Sequence, residues 1–132
     1  MNPPVFFDVE DVLHIHERGI ASHGGSLGVR DAGLLESAVA TPQAGFGGEY
    51  LHSDIFAMAA AYLFHIVMNH PFIDGNKRAG FSTALAFLDV NGVEVVMSQA
   101  TAYDLVIGVC EGTVTKQQLA AVFRDHAIPL AD

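Results

Sequence analysis

Apolar residues recur at helical spacing from residue 9 onward. Val9, Val12, Leu13, His16 and Ile20 share one face of an amphipathic helix that begins near Asp8. Gly24, Gly25 and Gly28 break the pattern and mark a loop. Asp31 is suited to cap a second, short helix with Leu34, Leu35, Ala38 and Val39 on its buried face. Pro42 ends it, because the residue before a proline is pushed out of the helical region. Residues 43–52 are Gly-rich, hold Phe46, Tyr50 and Leu51, and read as a loop or a small β-hairpin. A third helix, capped by Ser53 or Asp54 and running to about Met68, is apolar almost all round, which predicts a central position. A fourth runs from about Lys77 to Val90 with Phe81, Leu85, Phe87 and Leu88, and Asn91-Gly92 stops it. Residues 93–97 read as a short extended piece. Ser98 caps a fifth helix that presents Tyr103, Val106, Ile107 and Cys110 on one face. Thr115 and Gln118 form a capping box for a sixth, with Leu119, Val122, Phe123 and His126 inward. The expected fold is all-α, one domain over residues 1–132, with two buried central helices and the others around them.

Composition narrows what such a domain does. Hydrophobic residues make up 51% of the chain and charged residues 16%, enough for one buried core and too apolar for a disordered chain. Fifteen acids against six bases leave a net charge of −9, which excludes a broad basic surface for nucleic acid. Two of the six bases, Lys77 and Arg78, are adjacent, a local positive spot in an acidic chain. The single cysteine, Cys110, allows no internal disulfide, and its apolar helical position reads as core. The N-terminal stretch lacks a basic region followed by an apolar run, and the longest apolar stretch, residues 55–68, is shorter than the roughly 20 residues that span a bilayer. The expectation is a cytoplasmic protein with neither a nucleic-acid nor a membrane partner. Of the seven histidines, His16, His65 and His126 read as structural, and His14, His23 and His52 as solvated. No histidine pair has the spacing of four that puts two metal ligands on one helix face near His70.

One segment carries chemistry. His70-Pro71-Phe72-Ile73-Asp74-Gly75-Asn76-Lys77-Arg78 lies between two of the most apolar helices. Pro71 and Gly75 interrupt the helical run. The loop feeds a helix N-terminus, whose free N–H groups and dipole favour an anion. Gly75 lets a phosphate approach the backbone, Lys77 and Arg78 add positive charge, and Asn76 offers a donor and an acceptor. Asp74 is placed to hold Mg²⁺ against phosphate oxygens. His70 is the one side chain of the set that exchanges a proton near neutral pH. A base, a metal carboxylate, an anion cradle and two cations are the parts of phosphoryl or nucleotidyl transfer.

The string from 70 to 78 closely resembles the central motif of the Fic/Doc family, His-Pro-Phe-x-Asp/Glu-Gly-Asn-x-Arg, at every defining position. Gly33-Leu34-Leu35-Glu36-Ser37-Ala38 and Asn91-Gly92-Val93 resemble flanking segments of its Doc branch, the death-on-curing toxins. The resemblance implies a general base at His70, Mg²⁺ at Asp74, nucleotide phosphates held by Gly75, Asn76, Lys77 and Arg78, and a loop anchor at Phe72. It implies a target-docking flap at residues 43–52, with Phe46, Tyr50 and Leu51. Lys77 stands where AMP-transferring Fic proteins have a second glycine, and Phe81 where they have a second arginine. Both departures resemble the Doc branch, whose members transfer the γ-phosphate of a nucleotide such as ATP, with elongation factor Tu as the target class. The resemblance therefore implies a toxin kinase. AMP transfer by the same loop and a catalytically silent binding protein are the alternatives. Ile107 breaks the self-inhibitory pattern that would end at Glu111-Gly112, so silencing is expected in trans, from a Phd-type antitoxin.

Overall fold

The computed structural model describes residues 3–130. Six helices dominate the described residues: α1 (Val9–His23), α2 (Ala32–Ala40), α3 (Ile55–Asn69), α4 (Asn76–Val90), α5 (Gln99–Glu111) and α6 (Lys116–Asp125). Two small antiparallel sheets accompany them. Strands β1 (Gly45–Phe46) and β2 (Glu49–Tyr50) form a hairpin, and β3 (Val93–Val95) pairs with β4 (Ala127–Pro129).

Local chemistry sets the helix starts. Asp8, Asp31, Asp54, Ser98 and Thr115 each accept a backbone N–H of their own first turn, and Asp8 and Thr115 complete capping boxes with Asp11 and Gln118. Asp54, not Ser53, caps α3. A 3-10 turn (Thr41–Gln43) follows α2, with Pro42 at its start.

Helix α3 is the centre. It packs against α2, α4, α5 and α6, and it buries Met58, Tyr62, Leu63 and Ile66 completely or nearly so. Each such side chain contributes about 1.5–3 kcal/mol of hydrophobic stabilisation. Gly80 of α4 lets that helix close on α3: a β-carbon there would stand 3.2 Å from the Leu63 carbonyl oxygen and 3.0 Å from Val67 Cγ2. One core cluster joins α3 and α4 to α5 and α6 through Phe87, Leu88, Val109, Leu119 and Phe123. A second joins α1 and α2 to Ile66, Phe72 and Ala79, and it lies under the loop between α3 and α4.

Three expectations need correction. Helix α5 buries Leu105, Val106 and Val109, whereas Tyr103 is 67% exposed. The stripe through Leu105 has the same period as the one through Tyr103, so periodicity alone does not choose between them. The choice comes from tertiary packing, which places Leu105, Val106 and Val109 in the core cluster with residues of α3, α4 and α6. The extended piece after α4 gains a partner, β4, which local sequence obscures because Pro129 cannot donate to a ladder. His126 ends α6 as its C-cap, with its ring on the Val122 carbonyl, and is only half-buried.

Candidate active site

The loop from residue 70 to 75 connects the two central helices. His70 ends α3 in the left-handed conformation (φ 51°), the one non-glycine residue with positive φ among the described residues. Its N–H donates to the Ile66 carbonyl at 3.2 Å, and Pro71 then forbids further helix. Phe72 turns inward and is fully buried. The ring of His16 lies flat on it, 3.8 Å between centroids and 3° between planes, and His16 Nε2 donates to the Asp74 carbonyl at 2.7 Å. Asn76, 6% exposed, closes the loop from the other side. Its Oδ1 accepts from the Phe72 N–H and its Nδ2 donates to the Phe72 carbonyl, both at 2.9 Å. The backbone polar groups of Phe72, dragged under the surface by their side chain, are thereby satisfied.

Helix α4 has Gly75 as its N-cap, in the left-handed region (φ 77°), and is the one α-helix among the described residues without a side-chain cap. Its first residues, Asn76, Lys77 and Arg78, line a cleft of about 430 Å³ together with His70, Asp74 and Gly75, among others. His70, Asp74, Lys77 and Arg78 are exposed. An uncapped N-terminus with two cations beside it favours an anion.

The Asp74 carboxylate accepts the Ser26 N–H at 3.0 Å and the Gly75 N–H at 2.9 Å, one on each oxygen. These bonds, that of Ser26 foremost, hold its pKa below the usual carboxylate range. The loop between α1 and α2 therefore forms the second wall. Gly28 accepts from Ile73, Val29 bridges to Phe72, and His23, Gly24 and Gly25 line the cleft.

The structure thus brings the sequence-predicted loop residues into one cleft, with Phe72 beneath it. It leaves the predicted flap apart: Phe46, Tyr50 and Leu51 do not line the cleft. Phe46 is 86% and Leu51 70% exposed, while Tyr50 packs edge-on against Phe6. Cys110 is partly buried, packs against the core cluster and also lines the cleft. His52, expected in solvent, is half-buried. The Lys116 ammonium donates to His65 Nε2 (3.0 Å) and His52 Nε2 (3.4 Å), and the enclosed His52 Nδ1 has no partner among the described residues. Sequence reasoning missed Gly25, Ser26 and Arg30, whose contacts to the loop span about 40 or more positions. It read His16 as a core histidine, which is right about its burial and silent about its bond to the loop.

The Fic/DOC family model matches residues 6–88, a span that contains α1 to α3, the whole cleft loop and all but the last two residues of α4. The chain belongs to the Fic/Doc family. Within it, the relatives are of the Doc toxin branch. Over 90 residues the chain is 43% identical to the protein named Toxin Doc of Mycolicibacterium smegmatis, covering 68% of this chain and 67% of that one. Over 115 residues it is 34% identical to the Protein kinase doc of Escherichia phage P1, covering 87% and 90%. The Fic/Doc motif is thus the loop that the buried Phe72 and Asn76 hold between the two central helices. No helix of the described residues is long and apolar enough to cross a membrane.

Proposed function

We propose that this Doc-branch protein is a toxin kinase that moves the γ-phosphate of ATP, or another nucleoside triphosphate, to a hydroxyl group of a translation protein of the elongation factor Tu class. The observation that carries the reading is the single cleft in which an exposed histidine, an ionised carboxylate and an uncapped helix N-terminus with two cations meet. The kinase name of the phage relative supports it. In this reading the α4 N–H groups, Lys77 and Arg78 bind the triphosphate. His70 takes the proton of the target hydroxyl as its oxygen attacks the γ-phosphorus. The bond from that phosphorus to the β-bridging oxygen breaks, and the nucleoside diphosphate leaves.

Asp74 fits Mg²⁺. It is exposed and ionised at neutral pH, and each oxygen keeps lone pairs beyond its one backbone bond. No group of three His, Cys, Asp or Glu clusters among the described residues, so the other donors would be phosphate oxygens and water, a common Mg²⁺ arrangement. Bound there, the ion would neutralise charge on the phosphates. The exposed Phe46 and Leu51, on the hairpin segment apart from the cleft, would take part in docking the target, and a Phd-type antitoxin would silence the toxin in the cytoplasm.

The test is intact-mass spectrometry of elongation factor Tu after incubation with the protein, ATP and Mg²⁺. A gain of one phosphate is expected, with a fall of about 10²-fold or more in rate for His70→Ala. A gain of AMP would replace the kinase reading by AMP transfer. No gain, with growth arrest intact in His70→Ala, would replace it by a binding role.

A further inference from the structure

We infer that Arg30 is a positioning residue for His70, an inference that rests on the reading of His70 as the base. Three donors of this one residue meet three successive carbonyls. The Arg30 backbone N–H reaches Pro71 O at 2.7 Å, Nε reaches His70 O at 2.6 Å and Nη2 reaches Asn69 O at 3.0 Å. These carbonyls belong to the end of α3 and its exit, where the last C=O groups have no partner within the helix and the dipole favours a cation.

The contact matters because His70 holds an unusual backbone. A left-handed conformation is unfavourable for an L-residue and persists only where the surroundings over-determine it. The planar fork of Arg30 clamps the two peptide groups that flank the His70 α-carbon, so the backbone that aims the imidazole is held from outside the cleft. Among the described residues, Arg30 does not line the cleft, and its hydrogen bonds go to the end of α3 and its exit, with none to Lys77 or the start of α4. It is exposed, and α2 keeps its Asp31 cap without it, so its loss leaves no buried charge behind.

The experiment compares Arg30→Ala and Arg30→Lys with wild type in the full chain. It reads steady-state phosphorylation, nucleotide Kd and the His70 imidazole resonance, assigned by its absence in His70→Ala. For Arg30→Ala, kcat should fall about 10- to 100-fold with KM and nucleotide Kd within about twofold, because a misaimed base costs turnover rather than binding. The His70 resonance should shift or split. Lysine, whose ammonium lacks the planar, fixed fork of the guanidinium, should recover only a minor part. An unchanged kcat, a loss confined to KM or nucleotide Kd, or full recovery with lysine would overturn the proposal. If Arg30→Ala fails to fold, Arg30→Lys carries the test. If wild type transfers no phosphate, the functional reading falls by itself; the resonance still decides whether Arg30 positions His70.

Discussion

At Gly25 a β-carbon would stand 2.6 Å from Asp74 Oδ2, in a backbone (φ 113°) that side chains resist. Gly25→Ala should therefore push the carboxylate off the Ser26 N–H, cut Mg²⁺-dependent turnover by about 10-fold or more, and cost about 1–3 kcal/mol. Thermal melts and a Mg²⁺ titration of the rate check this, and a variant with wild-type Mg²⁺ dependence would refute it. Asn76 makes a different kind of demand. Its amide satisfies both backbone groups of Phe72 in a buried place, so Asn76→Ala strands a donor and an acceptor and should cost about 2–4 kcal/mol. Asn76→Asp keeps the acceptor but sets a carboxylate oxygen against the Phe72 carbonyl in a buried place, so it should also lose stability at neutral pH. Urea midpoints check both, and a wild-type midpoint in either variant would contradict the bonding described.

Helix α5 tests the element scale. Its two faces have equal period, and the structure buries the one through Leu105, which is 8% exposed, and leaves Tyr103 67% exposed. Leu105→Ala should cost about 2–4 kcal/mol and Tyr103→Ala under about 0.5 kcal/mol. Equal losses in chemical denaturation would mean that the helix is rotated otherwise. Cys110, partly buried, packs against the core cluster as expected and also lines the cleft.

For the whole molecule, the cluster between the end of the hairpin, α3 and α6 sets a response to acid. Burial, then the Lys116 charge, then His52 push the His65 pKa down to about 4, and burial and Lys116 lower that of His52. The unfolded chain takes up these protons near pH 6.5, the folded one only at lower pH. Stability from this cluster is thus complete above about pH 6.5 and declines toward pH 4. His65 keeps some contact with water, which moderates the loss to about 1–2 kcal/mol. Urea midpoints at pH 7.5 and 5 should differ in wild type and differ less in His65→Gln. Equal differences would remove the cluster from the explanation.

The grouping of the site residues and the starts of the helices were legible in the sequence, because both depend on residues within a few positions of one another. The string from His70 to Arg78 is one loop and the helix start that follows it, and Asp8, Asp31, Ser98 and Thr115 cap their helices through local hydrogen bonds. The second wall of the cleft was not legible. Gly25, Ser26 and Arg30 matter only because α1 and α2 bring their connecting loop against the end of α3, and nothing in residues 24 to 30 announces a contact made some 40 positions away. The buried face of α5, the partner of β3 and the enclosure of His52 likewise depended on tertiary packing. At each of these places two local readings were equally satisfied by the chain, and burial against a distant element decided between them.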